Sequence, residues 1–479
     1  MNNKEHVVEM KKVNTTAVLI VLVLSAFLGL FNETILNVSL NILMEDMKVT
    51  AGTIQWIVTA YMIIVAVMVP ITAFLIQTFE IKKLYLSAMS VLLIGTIGAA
   101  LSDTFVMLLV SRMVQAFGTG MMVSIMMTVV LLITPHHKHG SAMGICSCAI
   151  QLGPALGPTV SGFVLKYFEW HMLFYMLIPV IILLMGMGYI YIANITTLSK
   201  PKLDIASLLL STVGVGGVVY ALNELSAGGN MLAGAVILLV GLGAVYFFCK
   251  RQLVLKEPML EIKTFQHRKF SIGAGLVMIS MMTIFTMNVM LPMFLQGALG
   301  ATAFIAALVI LPATLVNGVM SLLSGKIYDK IGSKFLLPCG FAVILIGLSI
   351  LYFSNTETPL LQIMMVYILF CIGIGSTLSP SQTTALSNLP KPMYPHGVAI
   401  LNTLQQVAAA IGSSLYLGVM ASAQLRALNT DHTAEQSVSA GFSSALLVMG
   451  VVLILGLILS VQINKHSQKG KKEELEKVS

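Results

Sequence analysis

The sequence predicts an all-α polytopic membrane protein with fourteen transmembrane helices, and three observations carry that reading. Hydrophobic residues fill 57% of the 479 positions and charged residues 10%, with a mean hydropathy of +0.94, a combination foreign to ordinary soluble chains. Apolar windows of about 20 residues, the length that crosses a bilayer's hydrocarbon core, recur along the whole chain. Lysine and arginine gather in alternate connections, as the positive-inside rule requires of a chain that crosses repeatedly.

In order, the windows lie near 16–40, 52–77, 84–102, 105–132, 141–165, 171–194, 204–224 and 230–249, then, after a basic segment from Lys250 to Lys269, near 270–294, 301–325, 335–354, 360–386, 396–422 and 441–463. No small-residue cleavage pattern follows the first apolar core, so that span is expected to be retained. An even number of crossings puts both termini on one side. With the termini cytoplasmic, all but four of the 27 basic residues fall on inner tails and loops; Lys48, Lys166 and Arg426 lie outside and Arg112 lies within a span. Glu224, followed by the turn-like Ser226-Ala-Gly-Gly-Asn230, is read as interfacial.

Several classes are excluded. The net charge of +8 follows membrane topology, so nucleic acid is not an expected partner. No Gly-x-x-x-x-Gly-Lys-Ser/Thr loop is present, so ATP is not the direct fuel, and neither His-Glu-x-x-His nor Gly-x-Ser-x-Gly occurs, so no enzyme and no cofactor are expected. The five cysteines lack metal-site or redox spacing. The run His136-His-Lys-His139 is either a metal ligand set or a solvated inner loop; the second reading is preferred and no metal is expected.

The first span contains the one deep carboxylate, Glu33. An ionised group near the bilayer centre costs on the order of 3 kcal/mol, so it is either functional, here as a proton carrier, or a side chain that snorkels to the outer interface. Asn37 and Asn41 continue it at four-residue spacing as a polar stripe of one helix. Arg112, in the fourth span, falls at a similar depth. If the two helices are neighbours, Arg112 would hold Glu33 ionised until a proton displaces it, or the two would form a permanent structural pair.

The fifth span carries small residues at Ala149, Gly153, Gly157 and Ser161, with Pro154 and Pro158 between them. That ridge lets another helix approach closely and the prolines bend it, which suits a moving interface between bundles or a static kink. At the inner end of the tenth span, Gly325, Asp329, Lys330 and Gly332 form a loop motif expected to latch the inner face; its counterpart around Gln77–Lys83 is degraded. Gln55, Trp56 and Thr59 in the second span, and Asn288, Gln382, Asn402 and Gln405 in the second half, are candidates for a substrate cavity, or in part for plain helix-to-helix bonding.

Together these segments resemble the fourteen-span drug:proton antiporter branch of the major facilitator superfamily, over nearly the whole chain. Phe31-Asn-Glu-Thr-Ile-Leu-Asn-Val-Ser-Leu40 is similar to that branch's first-span motif, and Ile54-Gln-Trp-Ile-Val-Thr-Ala-Tyr61 to its second-span signature. Arg112-Met-Val-Gln115-Ala-Phe-Gly118-Thr-Gly120 resembles the fourth-span motif whose arginine serves proton transfer, with Gln115 assigned to the cavity. Gly153-Pro-Ala-Leu-Gly157-Pro158 resembles the antiporter motif. Segments 291–300 and 397–406 resemble second-half signatures.

The resemblance implies a major facilitator fold of two six-helix bundles with an inserted helix pair and a central cavity opening alternately to each side. The boundaries expected are a cytoplasmic tail 1–15, a first bundle 16–197, the inserted pair 198–250, a basic linker 251–269, a second bundle 270–464 and a tail 465–479. The implied function is proton-driven export of amphipathic small molecules from a bacterial cytoplasmic membrane by a monomer. The alternatives are an exporter dedicated to one endogenous metabolite, lipid or signalling molecule, or a non-transporting receptor or scaffold. Departures from the family pattern are Asn32 where relatives carry Asp, with the carboxylate one place on at Glu33, and His171 where the family often has Arg.

Overall fold

The computed structural model describes residues 14–193, 204–226, 230–430 and 433–478, with side chains up to 463. The predicted N-terminal tail up to Val13, the inner segment bearing Lys200 and Lys202, and the centre of the turn before Asn230 lie outside these residues. Fourteen helices long and apolar enough to cross a bilayer are present. They are α1 (Thr15–Thr34), α2 (Gly52–Thr78), α3 (Ile81–Ala100), α4 (Phe105–Ile133), α5 (His136–Leu165), α6 (Met172–Tyr191), α7 (Ile205–Leu225) and α8 (Met231–Val254). The second half supplies α9 (Arg268–Gly297), α10 (Ala303–Ile331), α11 (Ser333–Tyr352), α12 (Leu360–Leu386), α13 (Lys391–Leu428) and α14 (Ala434–Ile463). The helix of α14 continues to Val478 through the predicted C-terminal tail.

Packing divides the helices into two groups. In the first half α1 packs on α4, α5 and α6, α2 on α4, and α3 on α4 and α6. In the second half α12 is central, meeting α9, α10 and α11, while α14 meets α9 and α11 and α13 meets α9. The outward faces present apolar side chains such as Ile94, Val106, Phe163, Ile190, Phe304 and Val451, as suits helices whose backbone groups are satisfied internally in lipid.

The helices α7 and α8 pack on each other, and α7 lies against both α2 and α13: Val215 and Val219 cover Ala66, and Val218 and Leu222 cover Ala410. At their inner end Arg251 donates from Nε and from one terminal nitrogen to the two carboxylate oxygens of Asp204, at 2.6 and 2.8 Å. That fork ties α8 back to the start of α7. Gln252 then links Ser207 (2.6 Å) to the Leu260 amide (3.2 Å), and the Glu261 amide donates to His396 Nδ1 on α13 (3.2 Å).

One element departs from expectation. The first span, predicted as one helix over 16–40, ends at Thr34, turns through Ile35–Ser39 and resumes as a short helix Leu40–Asp46. Beyond Thr34 the Asn37 and Ser39 amides bond three residues back, to Thr34 and Leu36, so the coil tightens and leaves the α-helical path. The Trp170 indole, stacked on His171, donates to Asp46 at 2.9 Å and pins the short helix to the α5–α6 turn. His171 reaches the Ser102 carbonyl at 3.1 Å. The stripe Glu33, Asn37, Asn41 is thereby broken; Asn37 and Asn41 are exposed and Glu33 is half-buried.

Small residues set the closest helix contacts. A Cβ placed on Gly153 would stand 3.0 Å from Leu30 Cβ and 3.1 Å from the Phe27 carbonyl, so Gly153 is an α1 contact. Gly153→Leu should push α1 from α5 and destabilise the protein by about 1–3 kcal/mol, the usual cost of overpacking, read as a lower midpoint of thermal unfolding in detergent.

Candidate functional site

Arg112 is the fully buried charge of the first half. Its helix starts at Thr104, whose hydroxyl accepts from the Met107 amide at 3.3 Å, and this places Arg112 two turns inside. One guanidinium nitrogen donates to the Asn32 carbonyl (2.8 Å) and to Gln115 Oε1 (3.0 Å), and the other to the Glu33 carbonyl (2.9 Å). The guanidinium lies 4.1 Å from the centre of the Tyr61 ring. Gln115 is fixed in turn by donating to Thr96 at 2.9 Å, and the Tyr61 hydroxyl pairs with Thr119 at 2.6 Å. Arg112 Nε and Asn32 Oδ1 are buried without a hydrogen-bond partner.

The expected ion pair is therefore corrected. No carboxylate oxygen of Glu33 comes within 4.0 Å of Arg112; the described ion pairs are Lys83–Glu80 and Arg251–Asp204. The physical reason is the end of α1. The carbonyls of Asn32 and Glu33 lack helical partners there and point along the axis, carrying the partial negative charge of a helix C-terminus. A guanidinium finds in them two convergent acceptors. Asn32, where the family pattern has Asp, sits inside this cluster, and its Nδ2 donates to Tyr61 at 3.5 Å.

The residues expected to line a cavity separate into two sets. Asn37, Gln55 and Asn288 are exposed, Thr59 is half-buried, and Trp56 stacks on Tyr220 of α7 with ring centres 5.8 Å apart. Asn288 accepts from the Tyr367 hydroxyl at 3.1 Å. Gln115, Gln382, Asn402 and Gln405 are instead buried among helices. Gln115 serves Arg112. The other three form a chain: Ser147 on α5 donates to Gln382 (2.8 Å), Gln382 to Gln405 (3.2 Å), Gln405 to Asn402 (3.1 Å), and Asn402 to Ser124 on α4 (3.3 Å). Both ends belong to the first half and the middle to the second, so the chain stitches the halves together.

The small-residue ridge is also reassigned. Gly153 and Gly157 face α1, within their own half. The contact of α5 with α10 is made nearer the start of α5, where Gly140 and Gly144 pass so close to Gly325 and Ser321 that an added Cβ would collide with backbone. The reason is helix geometry: α5 crosses α1 at one level and α10 at another, and different glycines mark each crossing. Gln151 bonds Ser321 at 2.6 Å at the same α5–α10 seam.

Asp329 accepts from the amides of Gly140 (2.7 Å) and Ser141 (2.8 Å) and from the Ser141 hydroxyl, placing a carboxylate on the start of α5. Gly332, at φ +72°, ends α10 in a conformation that disfavours side chains. Lys330 is exposed and makes no hydrogen bond or ion pair among the described residues. Beside this latch, His136 Nε2 meets the Ser387 carbonyl at 2.7 Å and His139 Nδ1 meets the Ser387 hydroxyl at 3.1 Å. The run is solvated as expected at His136, His137 and Lys138, which are exposed, while His139 is buried; His136 and His139 also close onto the end of α12, because the bend between α4 and α5 brings them onto the second half.

The described hydrogen bonds between α1–α6 and α9–α14 run from the start of α5 to its middle at Gln151, and otherwise involve the first part of α13 and the later parts of α4, α10 and α12. The molecule is closed at that end. Serines 124, 141, 147 and 321 escaped the sequence reading, since serine is common in apolar helices and no spacing ties residues from separate spans.

Fourteen membrane-length helices in two groups joined by a buried polar seam have the architecture of a membrane transporter. The chain belongs to the Major Facilitator Superfamily, whose sequence profile matches residues 22–413. It is 38% identical over 452 residues to the lincomycin resistance protein LmrB of Bacillus subtilis, covering 92% of this chain and 94% of that one. It is 37% identical over 463 residues to the protein of the same name in Listeria innocua, covering 95% and 98%. Among solved structures the human organic anion transporter MFSD10 superposes with a TM-score of 0.68 at 12% identity, covering 93% of this chain and 99% of that one, which shows the fold alone.

Arg112→Lys keeps the charge but cannot fork between two carbonyls, and should cost about 1.5–3 kcal/mol, the worth of a hydrogen bond to a charged group, in thermal unfolding. Asp329→Ala should loosen the closed end. With Cys249 and Cys339 replaced by serine, maleimide labelling of the buried Cys148 should rise about tenfold, as expected if the latch contributes about 1.4 kcal/mol to closure.

Proposed function

We propose that this protein is a monomeric, proton-coupled exporter of amphipathic small molecules in the cytoplasmic membrane of a bacterium, with both termini in the cytoplasm. The observation that carries the reading is the buried Arg112, fixed on the backbone of Asn32 and Glu33. A permanent positive charge held beside the deep carboxylate of the first span makes that carboxylate's charge state dependent on the local field. Glu33 carries the proton, and Arg112 tunes it through the end of α1. The names borne by the relatives in Bacillus subtilis and Listeria innocua support drug export as the physiological direction.

The two bundles span 16–197 and 270–464, the inserted pair occupies 198–250, and the basic linker 251–269 lies on the cytoplasmic face. Under this orientation the closed end is cytoplasmic and the site faces outward. Gln55, Trp56, Thr59 and Asn288 remain available to substrate, while Gln382, Asn402 and Gln405 exchange their interbundle bonds for substrate when the cytoplasmic end opens. A single deep carboxylate fits neutral, zwitterionic or singly cationic substrates, since a dication would require a second buried acid.

The test is proton release from acidified inside-out vesicles on adding lincomycin and a panel of lipophilic cations. Wild type should release protons with at least one compound, and Glu33→Gln should abolish the release. Absence of release from wild type with every compound would overturn the multidrug reading, and coupling that survives in Glu33→Gln would remove Glu33 from it.

A further inference from the structure

Between the carboxylate of Glu33 and the seam of the two bundles stands one hydrogen bond that the transport reading has not used. Pro158 has no N–H, so the carbonyl of Pro154, four residues back on α5, loses its helical donor. The Thr34 hydroxyl lies 3.2 Å from that carbonyl and 3.4 Å from its own Phe31 carbonyl. Thr34 is the last residue of α1, directly after Glu33, and the chain leaves the helix at the next residue. A Cβ on Gly157 would collide with the same hydroxyl, so glycine is what lets Thr34 reach the freed carbonyl. Thr34 thus acts as the donor that Pro158 lacks.

We infer that Thr34 is the positioning residue that transmits the charge state of Glu33 to α5, and through α5 to the seam with α10. The link is geometric. Arg112 grips the carbonyl of residue 33 from one side, and Thr34 grips α5 from the other, so a shift of the Glu33 turn pulls on the proline-bent stretch of α5. Three residues before Pro154 on the same helix, Gln151 bonds Ser321 of α10, and Leu152 covers Gly318. A movement of about 1 Å at residue 154 therefore reaches the seam within one helical turn. A weak spot suits this role: a proline-freed carbonyl held by a single hydroxyl is easier to release than an intact helical bond.

The titratable groups on the helices packed against α1 are few. Helix α4 brings Arg112, α2 brings Tyr61 and α6 brings tyrosines alone, while α5 brings Cys146 and Cys148 and the histidines and lysine at its His136–His139 end. Of these only Arg112 bonds residue 33, so a pH response of this turn is attributable to Glu33.

This inference rests on Glu33 as the proton carrier, and the experiment separates the two. Hydrogen exchange of the α5 peptides covering residues 150–162, in the intact protein and corrected for intrinsic rates, is compared between about pH 5.5 and 8 for wild type, Glu33→Gln, Thr34→Val, Thr34→Ser and Pro158→Ala. Wild type and Thr34→Ser should show a change of about threefold or more in protection, and Glu33→Gln none. Thr34→Val should lose the response. Pro158→Ala restores a backbone donor to the Pro154 carbonyl, leaves the fold intact by adding a helical bond, and should lose it as well. A purely structural role for Thr34 would lower protection equally at both pH values and leave the ratio unchanged. A wild-type response persisting in Thr34→Val, or in Pro158→Ala should Thr34→Val fail to fold, overturns this inference alone. A response persisting in Glu33→Gln, or absent from wild type, overturns the Glu33 reading and this one with it.

Discussion

Much of the first half depends on a single arrangement, the guanidinium of Arg112 set on the open carbonyl end of α1. A helix terminus leaves carbonyls without donors, and in a membrane interior no water is at hand to satisfy them. An unpaired buried cation is costlier still. Each defect answers the other: the fork of Arg112 takes the carbonyls of Asn32 and Glu33, and the end of the helix supplies the charge with partial negative counter-charge. Tyr61, Gln115, Thr96 and Thr119 hold the arrangement from α2, α3 and α4.

A guanidinium bound to backbone behaves differently from one bound to a carboxylate. A salt bridge to Glu33 would lock both partners, and protonation would have to break it. Bonded to main chain, Arg112 is held without a carboxylate partner. In the reading proposed above, the moving parts are the turn after Thr34 and the proline-bent α5, both made of backbone whose helical bonds are already incomplete. Proline and a helix end do the same physical work, because each removes a bond that would otherwise resist bending.

The closed end is assembled differently. Its contacts are a carboxylate on a helix start, two histidines on one serine, and a chain of serine, glutamine and asparagine. Except for Asp329 these are neutral or weakly basic groups, and each bond is modest in worth. A seam built from many such bonds opens without stranding a buried charge. The inserted pair α7–α8 lies to one side of it, bridging α2 and α13 and tied to α13 through the linker and His396.

The sequence by itself determined the class, the fourteen crossings and the residues that stand out chemically, because lipid imposes a length and a composition on every span and makes each buried charge conspicuous. Glu33 and Arg112 were legible for that reason, and so were the proline and glycine positions of α5. Only the tertiary structure decided what those residues touch. It replaced a side-chain pair by a side chain on backbone, since α1 ends at Thr34 and leaves its last carbonyls to a side chain from another helix. It turned Gly153 and Gly157 toward α1 and gave the bundle seam to Gly140 and Gly144, since a ridge of small residues states that a helix comes close and not which one. It drew Ser124, Ser147 and His139 into the seam, because contacts between helices far apart in the chain leave no periodic trace in either one.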